Sequence, residues 1–201
     1  MQYPANTLEH HWMPFTANRD FKANPRLFVR SQGVNFWNHK GERVIDGSSG
    51  LFCCAAGHGR QEIADAVARQ LMEADYVTPF QFGHPSSFEL ASRLKALTPD
   101  GLDYFYFACS GSEAVDTAMK IALAYHHARG EGQRLRFVSR ERAYHGVNMG
   151  GTSLSGLMKN RQAFQAVVPG VLHMRHTWDP EALFTRGQPE TGAEKAEDLQ
   201  R

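Results

Sequence analysis

Five consecutive apolar residues, Tyr104-Phe105-Tyr106-Phe107-Ala108, run directly into Cys109-Ser110-Gly111-Ser112-Glu113, and a long helical pattern follows. A run with no polar face is what a strand covered on both sides of a parallel sheet requires. From Ser112 to Arg129, Ala114, Val115, Ala118, Met119, Ala122 and Tyr125 line one side of a helix. His126, His127 and Arg129 sit at its end, where cations are favoured. Leu135–Ser139 reads as the next strand and Val171–Met174 as another. Strand, helix, strand at this spacing is a βαβ unit, which predicts an α/β fold with a mainly parallel sheet flanked by helices.

The stretch from Leu27 to Asp46 predicts short strands with a turn at Asn38-His39-Lys40-Gly41. A glycine-rich passage from Gly47 to Gly59 follows, with an apolar centre, Leu51 to Ala56. Helical spacing returns over Gln61–Ala74 and Ser86–Leu97, the latter stopping before Pro99. The first ~25 residues have no periodicity and read as an extended arm. Thr191–Gln200 is helix-like and, past Gly192, meets no glycine or proline before Arg201, so a cut within an element is expected there.

Charge and composition exclude several classes. With 22 basic against 21 acidic residues the net charge is +1, which offers no basic field for nucleic acid or anionic membranes. Arg134, Arg136, Arg140 and Arg142 alternate about a strand and read as solvated edges. No apolar run approaches the ~20 residues of a membrane span, and no basic-then-apolar leader opens the chain. Three cysteines, two of them adjacent as Cys53-Cys54, make a poor disulfide framework and point to a reducing cytoplasm, the Cys53-Cys54 pair as buried thiols. Ten histidines lack the framing of a zinc site, so no metal is expected. No G-x-S-x-G elbow supports a serine hydrolase.

A helix N-terminus after a buried strand offers backbone N–H groups and partial positive charge to an anion. Gly111 allows close backbone approach, and the Ser110 and Ser112 hydroxyls add hydrogen-bond capacity. Ser110 and Glu113 also have the spacing of a capping box, which needs no ligand at all. Past the next strand come Tyr144-His145-Gly146 and a run of small residues, Gly150 to Gly156. At a neighbouring strand's carboxyl end they would flank the crevice where α/β sheets bind ligands. There the Tyr144 ring could stack on a flat heteroaromatic cofactor or be a half-buried loop aromatic.

Seven stretches, in order and covering nearly the whole chain, carry a resemblance. They are His11-Trp12-Met13-Pro14-Phe15-Thr16, Asp46 to Phe52, Gly57-His58-Gly59, Gly83-His84-Pro85, Ser110 to Ala114, Lys120 to Tyr125 and Tyr144 to Asn148. Together the sequence resembles the class III aminotransferases of fold type I, in the β-alanine/ω-amino-acid–pyruvate branch. The resemblance implies an arm and small-domain segment over 1–78 and the first part of a large pyridoxal-phosphate-binding domain over 79–201. It implies that Gly111 and Ser112 hold the cofactor phosphate with Ser110 supporting the turn. Tyr144 would stack on the ring, with His145 and Gly146 shaping the pocket. Phe15, Phe52 and Phe80, with Tyr144, match positions around the substrate. Phe52 stands where many relatives carry Trp, and plain core is the competing account of each phenylalanine.

The reaction implied moves an amino group from an ω-amino acid or primary amine to a 2-oxo acid such as pyruvate, in a cytoplasmic homodimer. Family members run to roughly twice this length, beyond what one compact core usually holds. Of Lys22, Lys40, Lys95, Lys120, Lys159 and Lys195, none resembles the family's Schiff-base lysine segment. The expectation is therefore a fragment that lacks the lysine and is inactive alone. The competing readings are a diaminopelargonate-forming class III enzyme and a non-catalytic truncated remnant.

Overall fold

A computed structural model describes residues 8–164, 168–180, 187 and 192–200. The chain divides into two compact units, Met1–Glu89 and Leu90–Arg201.

In the first unit a three-stranded antiparallel sheet has the order β1 (Phe28–Gln32), β2 (Asn35–Asn38), β3 (Arg43–Ile45). The β2–β3 turn forms where the sequence predicts it. Asn38 Oδ1 accepts from the Lys40 and Glu42 N–H groups at 3.0 and 2.9 Å, and Gly41 takes φ +86°. The arm holds a helix that periodicity misses, α1 (Asn18–Ala23). It has no side-chain cap, and six residues are too few to show a pattern. Asn18 nevertheless orders the arm, exchanging hydrogen bonds with the Met13 backbone at 2.8 and 2.9 Å. Phe21 is buried beneath the Arg26 guanidinium. A short turn, α2 (Ser49–Phe52), leads to α3 (Gln61–Glu73). Helix α4 (Pro85–Lys95) spans the boundary between the units.

In the second unit α5 (Gly111–Ala128) leads to β4 (Phe137–Arg140), which pairs in parallel with β5 (Val171–Met174). Between these strands lie α6 (Met149–Leu154) and α7 (Met158–Arg161); a 3-10 helix, Ala193–Gln200, follows β5. The fold is thus α/β, with a parallel pair flanked by helices.

Two expectations fail. Tyr104–Ala108 forms no strand: it pairs with no neighbour among the described residues, and Tyr104 is 97% exposed. An apolar run becomes a sheet strand only when adjacent strands accept its backbone bonds. The Cys53-Cys54 thiols are not buried: Cys53 is exposed and Cys54 half-buried. Among the described apolar residues only Phe21, Met119 and Met174 are buried.

Candidate functional site

The helix α5 starts with a serine cap and a glutamate that reaches back one residue beyond it. Ser110 Oγ accepts from the Glu113 N–H at 3.2 Å, and Glu113 Oε2 accepts from the Cys109 N–H at 2.9 Å. The Ser110 carbonyl takes the Ala114 N–H. At positions 111 and 112 the N–H groups are the first two of the helix, which no intrahelical carbonyl reaches. A Cβ added at Gly111 would meet no atom of any other part of the described chain within 4 Å, so the flank of the helix start is open at this position.

Ser112 is buried and faces the loop after β4. Its Oγ accepts from the Val147 N–H at 3.0 Å. A hydroxyl that accepts there still has its own hydrogen to donate. Gly146 makes this approach possible, since its φ is +104° and a Cβ would lie 2.7 Å from Ser112 Oγ and 2.9 Å from Ser112 Cα. Ser110, Gly111, Ser112 and Gly146 are thereby brought together at one helix end. His145 is half-buried in the same loop, and Tyr144 is 54% exposed with no aromatic neighbour in contact among the described residues.

The run of small residues noted in the sequence begins within α6, whose residues Gly150, Gly151, Thr152 and Ser153 are buried against the loop. A Cβ on Gly150 would meet Asp116 Oδ1 at 2.5 Å, and one on Gly151 the His145 carbonyl oxygen at 2.3 Å. Asp116 Oδ1 accepts from the Gly151 N–H at 3.1 Å, tying α6 to α5. Sequence reading passed over Asp116, although a residue four beyond Ser112 lies on the same helix face.

The three phenylalanines matched to the substrate pocket lie in the first unit and are not core. Phe15, Phe52 and Phe80 are 77, 85 and 81% exposed. Among the described residues six non-glycines have left-handed φ, and Phe15, Phe52 and Gln81, next to Phe80, are three of them. Ser49, Gly50, Leu51 and Phe52 form an unbroken left-handed turn with φ from 52° to 68°. Each non-glycine in that state costs roughly 1–2 kcal/mol. Beneath the turn Asp46 Oδ2 meets His58 Nε2 at 2.8 Å, with side chains only 5 and 12% exposed. The His58 contact holds the Asp46 carboxyl below its ordinary value, helped by the Ser48 and Gly50 N–H groups and opposed by desolvation. A depressed carboxylate pKa stabilises the fold above the ordinary range near pH ~4, and that contribution is lost as pH falls through the lowered value.

In the second unit, none of the lysines is in the cradle. Lys95 pairs with Asp103, Lys195 with Asp179, and Lys159 is exposed on α7. Lys120 is exposed on α5, eight residues and so roughly 12 Å of helix beyond Ser112. Among the described residues there is no group of three or more metal-ligand side chains, and no helix is long and apolar enough to cross a membrane.

Residues 16–201 match the family described as aminotransferase class-III. An omega-aminotransferase of Caulobacter vibrioides is 48% identical over 200 residues, 99% of this chain and 46% of that protein. A beta-alanine–pyruvate aminotransferase of Pseudomonas aeruginosa is 47% identical over 185 residues, 92% of this chain and 41% of that protein. The chain therefore spans less than half the length of these relatives. Among solved structures, an amine transaminase from an uncultivated Pseudomonas species in its PLP-bound form superposes with a TM-score of 0.81. It is 30% identical and covers 95% of this chain and 44% of its own. With the family match running over residues 16–201 and two relatives nearly half identical to it, the chain belongs to the class-III aminotransferases.

Proposed function

We propose that this chain supplies the cofactor cradle of an aminotransferase that moves an amino group from an ω-amino acid or primary amine, such as β-alanine, to a 2-oxo acid such as pyruvate. The observation that carries the reading is the junction of two loops: Ser112 Oγ receives the Val147 N–H beside two free helix-start donors and an open space at Gly111. That donor set fits the phosphate of pyridoxal phosphate, a dianion that helix N-termini favour. When bound, the cofactor supplies an aldehyde that condenses with amines and a ring that withdraws electrons from the bond to be broken.

The chain's own residues bind and orient. The Gly111 and Ser112 N–H groups, with the Ser112 hydroxyl, hold the phosphate, and Ser110 keeps the turn in shape. The Tyr144 ring lies along the cofactor face, while His145 and Gly146 set the pocket wall. Phe15, Phe52 and Phe80 face substrate. The exposed apolar side chains of both units support a homodimer, and three free cysteines support a cytoplasmic location. The Caulobacter vibrioides and Pseudomonas aeruginosa relatives named above favour the ω-amino-acid reading over a diaminopelargonate-forming one.

The direct test incubates the native gene product with β-alanine, pyruvate and pyridoxal phosphate and follows alanine formation. Alanine formation that requires the cofactor is the expected result; none would end the reading. Ser112→Ala should weaken cofactor binding by about 1–3 kcal/mol, the cost of losing a hydrogen bond to a charged group. Cofactor release measured by absorbance checks this, and unchanged affinity would leave only a capped helix. The 201-residue chain alone should give no single-site adduct on borohydride reduction with pyridoxal phosphate, because none of the second-unit lysines lies at the cradle and none of the six resembles the family's Schiff-base segment. Peptide mapping that finds one stoichiometrically labelled lysine would refute that.

A further inference from the structure

The left-handed turn Ser49–Phe52 is locally unfavourable, since three of its four residues carry a Cβ that this conformation crowds. Such segments persist only where their surroundings hold them. Inside the turn, Phe52 donates to the Ser48 carbonyl and Cys54 to the Ser49 carbonyl, at 2.9 and 2.8 Å. From the upstream side, the Asp46 side chain grips it. Asp46 Oδ2 accepts from the Gly50 N–H at 2.7 Å, and Asp46 Oδ1 from the Ser48 N–H at 3.2 Å.

Asp46 is itself held. His58 Nε2 contacts the same Oδ2 at 2.8 Å, and the His58 ring lies 4.5 Å from the Phe36 ring. Both residues stand on the β1–β2 hairpin through their backbones. The Asp46 N–H donates to the Val34 carbonyl at 2.8 Å; His58 and Gly33 exchange both bonds at 2.8 and 2.9 Å. Left-handed Gly57, whose Cβ would lie 3.3 Å from the Gly33 carbonyl oxygen, admits this close approach. A shielded carboxylate–imidazole pair on a sheet thus reaches one acceptor to a strained turn that displays Phe52.

We infer that Asp46 and His58 are positioning residues, holding α2 in its left-handed form and so fixing where Phe52 stands toward the amine substrate. The substrate part of this inference rests on the proposed aminotransferase reading; the clamp itself does not. If the pair served only the sheet, its loss would loosen the hairpin as much as the turn.

The test is hydrogen exchange with mass spectrometry on the native gene product and its Asp46→Ala, Asp46→Asn and His58→Ala variants, alongside steady-state kinetics. In Asp46→Ala, exchange across residues 47–56 should rise by at least about tenfold while residues 28–45 stay unchanged, the signature of local opening. His58→Ala should show the same pattern more weakly. Asp46→Asn, which keeps an oxygen for the Gly50 N–H, should recover most of the protection. In the kinetics, KM for a bulky aromatic amine should move by about fivefold or more while kcat for β-alanine stays within about twofold, because a misplaced wall changes binding rather than chemistry.

Equal loosening of both segments, or no change at 47–56, would overturn the proposal. So would an altered kcat with KM unmoved. If Asp46→Ala does not fold, His58→Ala and Asp46→Asn decide by the same two segments. If the wild-type protein transfers no amino group, the functional reading fails by itself, and the exchange data still decide whether the pair holds the turn.

Discussion

Alanine at position 146 should cost the native gene product its cofactor. Gly146 has φ +104°, where a side chain is strained, and its Cβ would sit 2.7 Å from Ser112 Oγ and 2.9 Å from Ser112 Cα. Strain of about 1–3 kcal/mol adds to a clash of about 1–3 kcal/mol, enough together for a loss of roughly thirtyfold or more in affinity. Gly130→Ala makes a sharp control: its φ is +77°, but a Cβ there meets nothing within 4 Å. Gly111→Ala separates ligand from packing, because no protein atom opposes a Cβ at that position. It should leave thermal stability nearly unchanged and still weaken pyridoxal phosphate binding. If Gly146→Ala and Gly111→Ala keep the cofactor as tightly as the Gly130→Ala control, the cradle is wrongly placed.

The second large effect concerns the 201-residue chain produced by itself, which should bind a hydrophobic dye and lack a sharp unfolding transition. The chain exposes 16792 Å². A compact protein of 22.5 kDa exposes about 9,500 Å², and two separate globules of half that mass about 11,400 Å² together. Tyr104 and Phe52 are 97 and 85% exposed, and Trp12 is 87% exposed. Large uncovered apolar surfaces mark interaction sites or aggregation-prone ones. Calorimetry with dye fluorescence and size exclusion is the check. A cooperative transition from a soluble, dye-silent species would show that the chain satisfies itself.

Local rules were legible in the sequence to the extent that the interactions behind them are local. The Asn38–Gly41 turn, the Ser110–Glu113 cap and the helix beginning at Gly111 each depend on residues within a few positions, and each forms. The strand Val171–Met174 was read correctly and pairs with the strand before it. Tyr104–Ala108 was misread because its composition states a wish for burial, while strand formation needs neighbours. For the site, Ser110, Gly111, Ser112 and Gly146 could be picked out, being small residues at a helix start and a loop. Asp116 and the Asp46–His58 pair could not. Asp116 meets Gly151 across 35 residues, and Asp46 meets His58 across 12. The left-handed turn was hidden too, since Ser49, Leu51 and Phe52 are not residues that announce positive φ.

The stretch behind the cradle divides the protein into places that tolerate variation and places that do not. Gly150, Gly151 and Gly156 each face a side-chain or backbone atom at 2.5 Å or less from where a Cβ would be. A randomised library covering them should return glycine at 151 and 156, which face backbone, and less strictly at 150, which faces the Asp116 and Met119 side chains. Positions 52 and 80 present outward side chains and should accept many residues. On the proposed aminotransferase reading, changes in amine preference, whether by drift or by design, would then accumulate on the strained turns of the first unit. The wall beneath Ser112 would stay fixed, because it has no room to record them.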